Sequence, residues 1–287
     1  MLRMRCITSL ILIPIIIGAL FCLPILAFSI TIFLISMLAA WEWCPLAGLS
    51  SCCHRVFFII LCGFILSISM FDILFGNALE WIHWLRIPDI LWIAVWWWIL
   101  VIPLVLFYPS SAVLWRTSRI LGILFGLLTI WSFFCGMLTV RQYHYQLDHT
   151  VGAWRLLYLL ILVWGIDSGA YLFGKVFGKH QLVPKISSGK TWEGLLGGLL
   201  SAFIIFFIFT QLTVLGVAPI SLFLCSIFTV FASILGDLSE SIFKRTAGIK
   251  DSGKLIPGHG GILDRIDSLT AAAPIFASLQ LVITEVI

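Results

Sequence analysis

DILWIAVWWWILVIPLVLFY, residues 89–108, is a run of twenty residues with a single charge, Asp89, at its edge. A helix of that length rises about 30 Å at 1.5 Å per residue, the thickness of a bilayer's hydrocarbon core. Similar runs recur at 7–23, 25–43, 56–75, 119–140, 154–173, 194–212, 214–236 and 270–287. Buried helices of soluble proteins rarely repeat at that length, so the pattern predicts an all-α, polytopic transmembrane bundle of about nine spans. Composition agrees: 61% of the 287 residues are hydrophobic and 10% charged, with a mean hydropathy of +1.14. An average soluble domain carries roughly 25% charged residues. The first run follows Arg3 and Arg5 as a signal peptide would. No small-x-small cleavage site comes after it and a second run starts at once, so it is expected to be retained.

Lysine and arginine set the orientation. With the N-terminus inside, the inner loops hold 14 of the 17 basic residues and the outer ones hold Arg86, Arg141 and Arg155. The N-terminus is therefore expected in the cytoplasm and the C-terminus outside. The eight cysteines are scattered, with no CxxC or Cys/His spacing that suits zinc; they read as small apolar residues, the adjacent Cys52 and Cys53 included. Trp92, Trp96, Trp97 and Trp98, with Trp81 and Trp84 before them, read as interfacial anchors. Internal repeats are not evident, so the inverted-repeat pattern of many transporters is missing.

The chemistry is concentrated in one half. All seven lysines lie between Lys175 and Lys254, and seven of the thirteen acids lie between Asp167 and Asp267. Residues 1–153 are thus expected to be scaffold spans and 154–287 to carry the catalytic segments at the cytoplasmic face. Within 236–268, Asp237, Glu240, Ser241 and Lys244 fall at i, i+3, i+4 and i+7 and share one helix face. Such a face suits a hydrated metal and a phosphate; the alternative is a solvated helix end laced by salt bridges. Pro257-Gly258-His259-Gly260-Gly261 then forms a turn whose glycines let backbone N–H groups approach an anion. Asp264 and Asp267 follow at i, i+3 with Arg265 between them, and paired hard carboxylates are what Mg²⁺ prefers. Upstream, Asp167 lies inside an apolar run, where an ionisable group is costly and functional by default. Lys175, Lys179, Lys185 and Lys190 gather at its exit. Gly189-Lys190-Thr191 invites a P-loop reading, which fails because Pro184 stands where the motif's first glycine belongs.

At these residues the chain resembles the phosphatidate cytidylyltransferases (CDP-diacylglycerol synthases) of bacterial type. The resemblance rests on SIFKRTAGIKDSGKLIPGHGGILDRID, residues 241–267, and on its fixed elements. These are Ser241, Lys244-Arg245, Lys250-Asp251, His259-Gly260-Gly261 and Asp264-Arg265-x-Asp267. DSGAYLFGK (167–175), KISSGKTWEG (185–194), LILIPIIIGALF (10–21) and MLAAWEW (37–43) extend it. One departure is Ser188, where that family usually has proline, which would loosen this loop without deleting a charge.

The resemblance implies transfer of the cytidylyl group from CTP to phosphatidate, with Mg²⁺ and room for a second cation, in the bacterial inner membrane. The implied metal set is Asp167, Asp237, Glu240, Asp264 and Asp267. The implied catalytic and phosphate-handling set is Lys244, Arg245, Lys250, Asp251, His259 and Arg265. His259 would orient a phosphate or water, or else only close its own turn. Lys175, Ser187, Lys190, Thr191, Glu193, Ser241, Gly260 and Gly261 are the implied substrate contacts. The expected partners are CTP, phosphatidate and membrane lipid, with no nucleic acid, and a second copy of the chain as a homodimer. These residue types suit the chemistry, since all the reactants are anionic and no covalent nucleophile is needed. A transporter would spread its ionisable residues through several spans at mid-depth. A CDP-alcohol phosphatidyltransferase would need a D-G-x-x-A-R motif, which Asp167-Ser168-Gly169-Ala170-Tyr171 does not match.

Overall fold

The computed structural model describes residues 2–76, 87–253, 255 and 260–286. Ten α-helices run through them: α1 (Leu2–Cys22), α2 (Ile25–Leu46), α3 (Cys52–Phe75), α4 (Ile87–Leu106), α5 (Val113–Thr117), α6 (Arg119–Gln142), α7 (His149–Phe177), α8 (Trp192–Leu212), α9 (Pro219–Ala247) and α10 (Leu263–Val286). Nine of these lie on the nine apolar runs; α5 is a short helix in a connection. Among the described residues, seven helices are long and apolar enough to cross a membrane, namely α2, α3, α4, α6, α7, α8 and α9. The chain is an all-α polytopic membrane protein.

The helix boundaries follow local chemistry. Ser51, Ser118, Asp148 and Thr191 each cap a helix, accepting from the backbone N–H of His54, Leu121, Thr150 and Gly194. Bonds from the Thr150 backbone and hydroxyl hold the Asp148 carboxyl below the usual carboxylate range. Pro219 opens α9, and Gly248, at φ +72°, closes it.

Three local features differ from expectation. The segment read as a loop contains a hairpin, β1 (Gln181–Val183) pairing antiparallel with β2 (Ser187–Thr191). Only Thr191 in SSGKT favours a strand; the pairing is also held from outside, where Arg245 on α9 donates from Nε to the Ile186 carbonyl at 3.0 Å. Ser188 therefore sits in a paired strand. Second, the apolar run at 270–287 is the later part of α10, which starts at Leu263; Leu263, Ile266 and Leu269 are buried and continue its apolar face. Third, Trp98 is no interfacial anchor: it is buried and donates from Nε1 to Ser132 Oγ at 3.2 Å. Trp92 and Trp96 are exposed, and Trp81 and Trp84 lie outside the described residues. The seven cysteines whose side chains are described are free thiols.

Packing runs across residue 153. α10 lies against α6, α4 and α2 as well as α9, and an aromatic cluster of Trp43, Trp115, Phe125 and Phe243 ties α2, α5 and α6 to α9. Two glycines set how closely the site's helices meet. A Cβ at Gly236 would lie 2.4 Å from the Asp267 carbonyl oxygen, and one at Gly169 would lie 2.1 Å from Ser201 Oγ. Only glycine permits α9 against α10, and α7 against α8, at those separations.

Candidate active site

The expected face of α9 forms. Ser241 Oγ donates to Asp237 Oδ1 at 3.4 Å, one turn apart. Lys244 Nζ sits 3.3 Å from Glu240 Oε1, an ion contact without hydrogen-bond alignment, and donates to Asp264 Oδ1 on α10 at 2.8 Å. From β2, Lys190 Nζ reaches Asp237 Oδ2 at 2.5 Å. On α7, Asp167 lies beside the Ser268 side chain and within electrostatic reach of Asp237, Lys190 and Arg265. Asp267 faces Asp237, Asp167 and Lys244 and accepts from the Ser268 N–H at 2.8 Å. Three helices and a hairpin thus bring together Asp167, Asp237, Glu240, Asp264, Asp267, Lys190, Lys244 and Arg265. Five carboxylates face three cations, a formal balance of −2.

Other expected residues stand apart or do local work. Asp264 is heavily committed: besides Lys244, it accepts from the Ser252 N–H at 2.9 Å and the Gly261 N–H at 2.8 Å. That Gly261 N–H, expected to meet an external anion, meets this carboxylate. Gly260 makes the turn at φ +82°. Glu193, expected among the substrate contacts, braces the end of α7. It accepts from the Lys179 and His180 N–H groups at 3.1 and 3.3 Å and pairs with His180 Nδ1 at 2.6 Å. Thr191 caps α8, Ser187 is half-buried in β2, and Arg245 holds the hairpin. Lys175 is exposed beside the Tyr171 ring, and Lys250 and Asp251 are exposed where the signature loop leaves α9. His259 lies outside the described residues, as do Lys254, Pro257 and Gly258.

Comparison with known proteins shows the chain's family. A sequence model described as the cytidylyltransferase family matches residues 3–283. The chain belongs to that family. It is similar to the phosphatidate cytidylyltransferase of Haemophilus influenzae, 42% identical over 283 residues covering 96% of this chain and 98% of the relative. The enzyme of that name from Pseudomonas aeruginosa is 39% identical over 97% of both chains. A Staphylococcus saprophyticus relative of the same name is 46% identical over 126 residues, 42% of this chain and 46% of its own.

Among the described residues, no three His, Cys, Asp or Glu side chains already converge as a closed metal site. The donor set is nevertheless of the hard oxygen type that suits the expected divalent cation. The surplus of two negative charges matches one such ion, and among the described residues Glu240 Oε2 is buried with no hydrogen-bond partner.

Glu42 is the residue that sequence reasoning missed. From α2 it reaches into the signature loop, where Oε2 accepts from Ser252 Oγ at 3.0 Å and from the Leu263 N–H at 2.8 Å. A signal was present: Glu42 is the one carboxylate of the 25–43 run, and an ionisable group in such a run is functional by default.

Proposed function

We propose that the chain transfers the cytidylyl group of CTP to phosphatidate, giving CDP-diacylglycerol and pyrophosphate, at the cytoplasmic face of a bacterial inner membrane. The observation that carries this reading is the near full-length likeness to the Haemophilus influenzae phosphatidate cytidylyltransferase. In the reaction a phosphate oxygen of phosphatidate attacks the α-phosphorus of CTP, the bond to the β-phosphate breaks, and pyrophosphate leaves.

Both reactants are polyanions, so the protein's task is to bring like charges together and hold the attack in line. Lys190 and Arg265 stand at the exposed rim, suited to gripping phosphate oxygens. Lys244, deeper, keeps α9 and α10 in register and offers positive charge to the same space. Asp167, Asp237 and Asp267, with Glu240 and Asp264 behind them, would hold Mg²⁺. When bound, that ion neutralises phosphate charge and polarises the reacting phosphoryl oxygens. Purified protein with Mg²⁺, phosphatidate and labelled CTP is expected to form a cytidine-labelled lipid and release pyrophosphate, and EDTA is expected to stop it. A chain that makes no such lipid, or works fully without divalent cation, refutes the reading.

The cytoplasmic placement rests on the 14-to-3 split of basic residues. In a background with the native cysteines replaced, Lys185→Cys and Lys250→Cys are expected to react with an impermeant thiol reagent only from the cytoplasmic side. Leu147→Cys, in the connection before α7 and highly exposed, is expected to react only from outside. Labelling of all three from one side would overturn the span count between them.

A further inference from the structure

We propose that Glu42, on α2, is a positioning residue for the cytidylyl transfer, acting through the signature loop to set Asp264 and Lys244. Its side chain is 3% exposed. One oxygen, Oε2, ties the two ends of the loop together, taking the Ser252 hydroxyl where the loop begins and the Leu263 N–H where α10 begins. The next link is immediate. The Ser252 N–H donates to Asp264, Asp264 follows Leu263 in the chain, and Asp264 accepts from Lys244. The loop closes on the carboxylate so tightly that a Cβ at Gly253 would lie 2.2 Å from Oε1, and one at Gly261 would lie 2.3 Å from Oε2.

Two observations separate this from ordinary packing. Among the described residues Oε1 is buried without a hydrogen-bond partner, a cost to stability rather than a gain. The two bonds that offset this cost both go to the loop's ends, since without the side chain the Ser252 hydroxyl and the Leu263 N–H would lose their acceptor. And α2 is itself fixed beside the site. The neighbouring Trp43 donates from Nε1 to the Gly122 carbonyl at 3.0 Å and packs on Phe243 of α9, one residue before Lys244. Glu42 therefore transfers the rigidity of the N-terminal helices to a loop rich in glycine. A displacement of about 1 Å at such a site can cost on the order of 10²-fold in rate.

The inference uses the cytidylyltransferase reading for its assay, so wild-type protein is the control. A wild type that makes no CDP-diacylglycerol refutes that reading and leaves no rate to compare. With an active wild type, Glu42→Ala is expected to lower kcat about tenfold or more with KM for CTP changed less than about threefold, whereas Glu42→Gln, which keeps an acceptor oxygen, restores most of kcat. Gly253→Ala, which alters no polar group, is expected to reproduce the loss. Ser252→Ala is the milder probe should Glu42→Ala fail to fold, and it is expected to lower kcat about threefold or more with an unchanged melting temperature. Combined with Glu42→Ala, its effect should be less than additive. Overturning results are wild-type kcat in folded Glu42→Ala, or in Ser252→Ala where Glu42→Ala does not fold. Equal loss in the Gln and Ala variants would also overturn it.

Discussion

Asp267→Asn and Asp264→Asn are each expected to lower turnover about 10²-fold or more, because each removes fixed charge from a phosphoryl-transfer site. They should differ in stability. Asp267 stands among Asp237, Asp167 and Glu240, so neutralising it relieves repulsion between buried like charges, and the variant should melt at or above the wild-type temperature. Asp264 accepts from Lys244 and from the Ser252 and Gly261 N–H groups. An asparagine there would turn an amide donor toward one of those donors and leave a buried group unsatisfied, at about 1–3 kcal/mol. Asp264→Asn should therefore lose melting temperature as well as rate. Turnover and thermal denaturation in the same detergent decide the matter; near-normal rates in both variants would mean that the reacting phosphates are held elsewhere.

Much of this is legible in the sequence. Span length and the absence of charge dictate membrane helices, because the bilayer core sets a length that few other structures share. The α9 face was legible because i, i+3, i+4 and i+7 is a local rule, and Ser241 to Asp237 and Lys244 to Glu240 obey it. Asp167 was legible because a carboxylate in an apolar run needs a reason. What escaped depended on partners distant in sequence. The β1–β2 hairpin is held in part by Arg245, 59 residues from Ile186. The Glu42 contact with Ser252 spans 210 residues, and nothing local to MLAAWEW announces a loop two hundred residues on. Contacts of this kind cross the division at 153. Hydrophobic runs say that α2 is long enough to cross the membrane, not which loop its Glu42 meets.

Lys244 is expected to be the cation whose loss does most damage, and Lys190 provides the contrast. Lys244 is 13% exposed and stands between Glu240, at 3% exposed, and Asp264, at 7%. Lys244→Met fills a similar volume but leaves both carboxylates without their cation, with Asp267 also in reach. Removing one partner from a buried pair typically costs about 3–5 kcal/mol, chiefly through the charge left behind. Lys190 and Asp237 are each about a quarter exposed, so water solvates whichever remains, and Lys190→Met should cost roughly 1 kcal/mol or less in stability. Both variants should lose turnover, since each removes positive charge from a site that must gather polyanions. A second substitution separates the two roles of Lys244. Adding Glu240→Gln to Lys244→Met removes the most buried stranded charge and should recover part of the melting temperature, yet recover no turnover. If the double variant regains activity along with stability, Lys244 serves the fold alone. If Lys190→Met proves as destabilising as Lys244→Met, the hairpin is more deeply enclosed than its exposure indicates.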